Sequence, residues 1–297
     1  LMALDIRPLR AADVPAALRL STRAGWNQLA ADWHRLLDLA PEGSFAGWVG
    51  DDLVATGTLV TYGGEVGWIG MILVDEAHRR NGYGTAVFEH VRDLAERRGV
   101  TAGLDATDAG REVYRQVGFV DVTPIQRWSG TLSPPAEFRP ERSGRVGTFR
   151  ADDPAVVSAV RALDRRAVGV DRTALLEHLL GEDGTTGIVV GEGASESDST
   201  GDGVRGYAVV RPGREHDHVG PVVASTRDDA AALLTGAADV TGDASVLVDL
   251  LAVEGSAPLL EAAGLECQRR LTRMAAAEPE PLLVGDGVVA AAGFELG

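Results

Sequence analysis

Ile69-Gly70-Met71-Ile72-Leu73-Val74-Asp75, then Glu76-Ala77-His78, then Arg79-Arg80-Asn81-Gly82-Tyr83-Gly84-Thr85 is the stretch that decides the reading of this chain. An apolar run, a short turn and a glycine-bearing loop lead into Val87, Phe88, Val91, Leu94 and Ala95 at helical spacing, so a strand feeds a core-facing helix. Such a loop points free backbone N–H groups at one spot, and the positive end of the helix dipole adds to them. Glycine at 82 and 84 lets the main chain approach phosphate oxygens closely, and Arg79 and Arg80 add charge-assisted contacts. The stretch therefore reads as a seat for a phosphate or diphosphate. Two other phosphate loops are excluded: the chain has no G-x-x-x-x-G-K-[ST], and no G-x-G-x-x-G after a strand with an acidic residue downstream.

The 297 residues suffice for two domains, each with a sizeable core. No apolar run approaches a membrane span of about 20 residues, and no charged-then-apolar leader precedes the first strand, so a soluble, cytoplasmic protein is expected. The single cysteine, Cys267, excludes an internal disulfide framework and a cysteine-based zinc cluster, and it reads as a small buried hydrophobe. Net charge is −16, and all 28 basic residues are arginine. A GC-rich codon bias accounts for the missing lysine. The acid excess goes beyond it and suggests adaptation to high salt, where repulsion is screened. The same negative field argues against nucleic acid as a partner.

Along the chain, strands are expected at 4–10, 44–50, 53–61 and 66–75, with helices at 12–24 and 28–39 between the first two. Gly63-Gly64 marks a hairpin. A helix at 84–98, a strand at 101–107, a helix at 109–117 and a closing pair of strands through 119–131 complete a first unit. Ser133-Pro134-Pro135 to Pro140 reads as a rigid linker. A second unit repeats the order: strands at 146–150, 187–192, 204–211, 217–224 and 244–250, helices at 153–167, 172–180, 227–238 and 255–263, and a last strand pair. The Ser/Gly/Asp/Glu-rich run from Gly193 to Gly203 has no bulky apolar side chain and reads as a mobile loop.

Arg79-x-x-Gly82-x-Gly84 between strand and helix, followed by Leu104-Asp105-Ala106-Thr107 and then Tyr114-x-x-x-Gly118-Phe119, resembles the GNAT superfamily of N-acetyltransferases. The two motifs in this order and at this separation are a specific signal. Gly25-Trp26-Asn27-Gln28, Asp32-Trp33, Gly220-Pro221-Val222-Val223-Ala224 and Gly293-Phe294-Glu295-Leu296-Gly297 resemble a subgroup with a GNAT-like second half. The resemblance implies an α/β protein of GNAT type with two tandem domains, each a mixed, mostly antiparallel sheet flanked by helices. Residues 1–132 form the acetyl-CoA-binding domain, 133–144 a linker and 145–297 a degenerate C-terminal domain.

The resemblance also implies roles. The loop from Arg79 through Arg80, Asn81, Gly82, Tyr83 and Gly84 to Thr85 takes the diphosphate of acetyl-CoA, while Ile72, Leu73 and Val74 pair with its pantetheine. Tyr114 matches the tyrosine that protonates the departing thiolate, and a neutral phenol suits that task at pH 7. Thr107 stands where pantetheine is contacted, or serves as a helix N-cap. Trp26, Asn27 and Asp32 line the acceptor pocket, whereas Trp33 reads as a core aromatic. For the general base three carboxylates stay open, Glu65, Asp105 and Asp75, each of which equally suits a solvated or capping place. No metal is expected: His216 and His218 share a spacing that suits one, but no third ligand accompanies them. The partner implied is a small-molecule amine, with a homodimer left open. The competing reading is an acyl-CoA sensor that binds without turnover.

The second unit supplies an internal control. Aligning Gly70 with Gly220 leaves Ser225-Thr226-Arg227-Asp228-Asp229 where the first unit has its Arg/Gly loop, and aligning Gly118 with Gly264 puts Leu260 opposite Tyr114. Carboxylates at a helix start compete with an anionic ligand for the same N–H groups. Only the first unit is expected to bind the coenzyme.

Overall fold

The computed structural model describes residues 3–138, 145–191, 203–251, 253–276 and 282–297. In the first repeat β1 (Asp5–Pro8), α1 (Val14–Arg23) and α2 (Ala30–Leu39) precede β2 (Ser44–Val49), β3 (Asp52–Tyr62) and β4 (Val66–Val74). Then come α3 (Tyr83–Arg98), β5 (Thr101–Ala106), α4 (Asp108–Gln116) and β6 (Phe119–Thr131). The second repeat runs β7 (Arg145–Phe149), α5 (Pro154–Val168), α6 (Thr173–Gly181), β8 (Thr186–Gly191), β9 (Val204–Arg211) and β10 (Asp217–Ala224). It continues through α7 (Arg227–Thr241), β11 (Ser245–Leu250), α8 (Val253–Ala262) and β12 (Glu266–Ala276) to β13 (Val288–Ala290). The mobile loop expected from Gly193 to Gly203 lies almost wholly outside the described residues, as does the linker beyond Phe138.

The expected order of elements is present in both repeats, and among the described residues their strands run together into one mostly antiparallel sheet of thirteen. The join is made by exchanged strands. β12, the late strand of the second repeat, pairs with β5 of the first, while β6 of the first pairs with β11 of the second. β6 and β12 then pair with each other along ten registered positions, from Glu266↔Ser129 to Ala276↔Phe119. The closing pair of strands expected at 119–131 is in fact the single strand β6. Pro124 suggests a break, but it precedes the stretch from Gln126 that pairs with β11, so one strand edge is open where the N–H is missing.

Adjacent residues of the central strands pack to opposite sides. Leu59 and Ile69 join α3 residues Val87, Phe88 and Val91 in one core. Val60 and Trp68 join a second core that α1, α2, α5 and α6 share, with Trp33, Leu36, Leu175 and Leu179 fully buried. Strands buried on both faces read as near-continuous apolar runs, which is how β3 and β4 look in the sequence. A third core lies under α7 and α8. Among the described residues no helix is long and apolar enough to cross a membrane.

Candidate active site

β4 and β5 run parallel for only three registered pairs, Val66↔Thr101 to Trp68↔Gly103, and then diverge. The divergence begins at a bulge. Met71 has φ +52, the β3 register shifts between Thr56 and Thr58, and the Thr56 hydroxyl donates to the Met71 carbonyl at 2.8 Å. A cavity of about 240 Å³ opens between the splayed strands, lined by Ile69 to Ile72 on one side and by Leu104 to Thr107 on the other.

The glycine loop follows the end of β4, and none of Arg79 to Thr85, nor Leu73 or Val74, is among the residues that line the cavity. Arg80 and Gly82 have φ +64 and +78, and α3 starts with no side-chain cap at Gly82. The first rung of the helix is Ala86 N–H to Gly82 O at 3.0 Å, so Gly84 and Thr85 precede the ladder and have no intrahelical carbonyl to meet. Gly84 is packed so closely that an added Cβ would stand 3.3 Å from the Val74 side chain, and Arg79 Nε donates to the Val74 carbonyl at 3.3 Å. Loop, Val74, Leu73 and Ile72 therefore follow one another along the open edge of β4, with Ile72 reaching the cavity. Tyr83 is buried with Val49 and Val54, so its ring serves the fold. Asn81 Nδ2 donates to the His78 carbonyl at 3.1 Å and shapes the turn.

Tyr114, on α4, lines the cavity and packs at 4.7 Å between ring centroids on Phe88. Burial pushes its phenol up from the ordinary tyrosine range, which keeps it protonated. Thr107 is the N-cap of α4, its hydroxyl accepting from Gly110 N–H at 3.2 Å, and it also lines the cavity.

Other expected site residues are placed differently. Glu65 lies exposed at the β3–β4 turn, before the paired end of β4, and is not among the cavity-lining residues. Asp105 reaches the cavity wall, but both its oxygens bind the fully buried Arg273 of β12, at 2.9 and 3.0 Å. Asp75 accepts from Ala77 N–H and caps the turn before the loop. Asn27 is spent on the other repeat: its amide nitrogen donates to His216 O at 2.8 Å, and its oxygen accepts from the N–H groups of Glu215 and His216. Asp32 caps α2 by accepting from Leu29 N–H at 2.7 Å and binds Arg35, which in turn holds Glu182. Trp26 alone of that trio lines the cavity. His216 bonds Ser245 while His218 is buried, and no cluster able to hold a metal occurs among the described residues. Cys267 is half-buried rather than buried.

The rest of the wall comes from far along the chain. Arg127 of β6, Arg269 and Leu271 of β12, and Phe294 and Glu295 line the cavity. Residues 293–297 lie against β3 and β4: the Tyr62 hydroxyl donates to Leu296 O at 2.6 Å and Trp68 Nε1 to Phe294 O at 2.9 Å. Gly70 permits that approach, since a Cβ there would stand 2.9 Å from the Glu295 carbonyl oxygen. The only sequence signal for this segment was the resemblance of Gly293-Phe294-Glu295-Leu296-Gly297.

The second repeat has the same geometry with its cleft filled. β10 and β11 run parallel only at Asp217↔Val246 and His218↔Leu247, and β13 then enters between them, pairing with both. The helix start is filled too: the Thr226 hydroxyl accepts from Asp229 N–H at 3.1 Å, and the Asp229 carboxylate is ion-paired to Arg205. Leu260, opposite Tyr114 in the repeat, is a core residue.

Two family models match this chain, one described as the acetyltransferase (GNAT) family over residues 14–119 and one as an acetyltransferase (GNAT) domain over residues 160–283. The chain belongs to the GNAT family. It carries two GNAT domains in tandem. A holothin acyltransferase from Pseudoalteromonas sp. (strain SANK 73390) is 27% identical over 197 residues, which span 66% of this GNAT chain but only 61% of that relative. An acetyltransferase-described chain of Pyrococcus horikoshii has the same fold, with a TM-score of 0.80, 20% identity and coverage of 100% of this chain and 97% of that one. A tandem GNAT protein from the clavulanic acid biosynthesis pathway gives 0.64 at 19% identity, over 94% of this chain and 100% of that one.

The two helix starts yield a direct test. Thr85 and Asp229 both occupy the third helical position, of α3 and α7. A Thr85→Asp variant places in the first repeat what the second already has. An added carboxylate in the first turn favours the helix by about 0.3–1 kcal/mol, so the melting temperature holds or rises. If the loop seats the diphosphate of CoA, the same charge costs about 1.4 kcal/mol or more, and CoA affinity measured by calorimetry should fall about tenfold or more.

Proposed function

We propose that this protein is an acetyl-CoA-dependent N-acetyltransferase in which residues 1–132 bind acetyl-CoA and residues 145–297, reached through a linker at 133–144, build the acceptor side. One observation carries the proposal: of two clefts with the same origin, the one beside the uncapped glycine loop is open and bears Tyr114, while the other is filled by β13. A protein that needed only the fold would have no reason for that asymmetry.

In this reading the amides of Gly84 and Thr85, with the dipole of α3, hold the diphosphate, and Arg79 and Arg80 add charge. The open edge of β4 from Val74 to Ile72 aligns the pantetheine arm. Acetyl-CoA supplies an activated thioester. A primary amine from the side of Trp26 and Phe294 attacks its carbonyl, the C–N bond forms, the C–S bond breaks, and the Tyr114 hydroxyl gives its proton to sulfur. Direct transfer in a ternary complex needs both ligands at once, and the cavity lies between the two repeats' contributions. The acceptor is a small amine: the wall carries Glu295 and Asp105 as well as Arg127 and Arg269.

Release of CoA thiol from acetyl-CoA over a broad amine panel tests the proposal. Amine-dependent thiol release supports it. Stabilisation by CoA in thermal denaturation without any turnover would leave a CoA-binding sensor instead.

A further inference from the structure

Two acidic residues, Asp105 and Glu295, line the cavity, and the surroundings of their carboxylates differ. Asp105 has each oxygen in a short bond to Arg273, a structural pairing that occupies both. The Glu295 carboxylate accepts from its own backbone N–H and, among the described residues, has one ion contact, Arg211 Nη2 at 3.5 Å, too long to be a strong hydrogen bond. Its main chain rests on Gly70, at the point where β4 bulges and leaves β5. The carboxylate lies over Gly293, whose added Cβ would stand 2.9 and 3.0 Å from its two oxygens.

We infer that Glu295 is the general base of the first repeat's site, delivered by the segment that closes the second repeat's cleft. The inference rests on the acyl-transfer reading above. Continuity of the chain supports it. β13 fills the second cleft, Ala291 N–H bonds Asp249 O, and Phe294 and Leu296 offer their carbonyls to Trp68 and Tyr62 of the first repeat. The lapsed repeat thus contributes a reacting group, and the active repeat is incomplete without it.

Charges around Glu295 come from every neighbouring element. Arg211 of β9, Arg127 of β6 and Arg35 of α2 face it with positive charge, Asp32 of α2 with negative charge, and Tyr62 of β3 packs nearby. Burial dominates and pushes the Glu295 carboxyl above its ordinary value of 4.5. That moves it toward the pH at which a base works best. Behind it lies a polar cavity of about 20 Å³, also lined by Gln28 and His218. The buried atoms Gln28 Oε1 and His218 Nε2 on that cavity have no hydrogen-bond partner among the described residues. The space suits one water and provides a way out for a proton.

The proton count closes. The acceptor ammonium gives one proton to Glu295, which passes it to solvent. The free amine forms the C–N bond, and the C–S electrons go to sulfur, which takes the Tyr114 proton. The second nitrogen proton returns to Tyr114 as the intermediate collapses. The net products are amide, CoA thiol and one proton.

The test compares Glu295→Gln and Glu295→Asp with wild type on an amine the wild type acetylates, between pH 5.5 and 9. For Glu295→Gln, kcat/KM at pH 7 should fall about 100- to 1,000-fold, the acid limb of the wild-type profile should vanish, and the CoA-induced thermal shift should persist. Glu295→Asp should keep an acid limb at reduced rate. Carbon-13 NMR of glutamate carboxyls in the wild-type protein should show one signal, absent from both variants, that titrates above the ordinary glutamate range. A Glu295→Gln enzyme with wild-type rate or an intact acid limb overturns the assignment, as does a Glu295 signal at or below the ordinary range. If the wild type binds CoA and acetylates nothing, the acyl-transfer reading fails first and takes this assignment with it.

Discussion

Tyr114→Phe should lower kcat by about 100- to 1,000-fold while leaving CoA affinity within about threefold, because the variant removes one hydroxyl and no packing. The ring of Tyr114 is held by Phe88 at 4.7 Å and Phe119 at 6.1 Å, contacts that phenylalanine keeps. In the proposed mechanism only the proton donor is lost, so the thiolate should leave without assistance at a barrier higher by about 2.7–4 kcal/mol. The pH profile should change in a matching way. On the alkaline side wild-type activity should fall only above the ordinary tyrosine range, since burial raises the Tyr114 pKa and the phenol is competent below it. The variant should lack that alkaline limb. Steady-state kinetics with thermal denaturation in CoA separates the two effects, and a variant with unchanged kcat would remove Tyr114 from the chemistry.

The largest stability effect is expected at Arg273. Its guanidinium is fully buried, bonds both oxygens of Asp105 and stacks on Trp68 at 4.3 Å. Arg273→Ala strands the Asp105 carboxylate in the interior, and breaking one side of such a pair costs about 3–5 kcal/mol. For a chain of this size unfolding in one transition that corresponds to a melting-temperature drop of about 5–8 °C. Replacing Asp105 and Arg273 together by apolar residues should recover much of the loss, because no charge is then left alone. The pair ties β5 of the first repeat to β12 of the second, so both repeats should lose structure in one transition. Calorimetry of the single and double variants decides this, and two separated transitions would contradict it.

Much of the fold was legible because the signals are local. β3, β4 and α3 carry their periodicity within their own residues, and the helix starts carry their chemistry within four: Arg79 to Gly82 in one repeat, Thr226 to Asp229 in the other. Tyr114 was legible for the same reason, from the Gly118-Phe119 turn just beyond it. Glu65, Asp105, Asn27 and Asp32 were not. A carboxylate or amide has the same local pattern whether it faces substrate or a structural partner. For Asp105 that partner lies 168 positions away, and for Asn27 it lies 189 positions away.

The sequence by itself determined that the chain holds two copies of one unit, that the first keeps an Arg/Gly loop before its helix and a tyrosine, and that the second has lost both. Those facts depend on spacings of a few residues, which backbone geometry translates directly into strands, helix starts and free amides. Only the tertiary structure decided that the copies exchange strands, that β13 closes one cleft, and that the same segment carries Glu295 into the other. Strand exchange depends on which edges meet in space, and edges of equal composition pair equally well in either repeat, so nothing within one repeat specifies its partner.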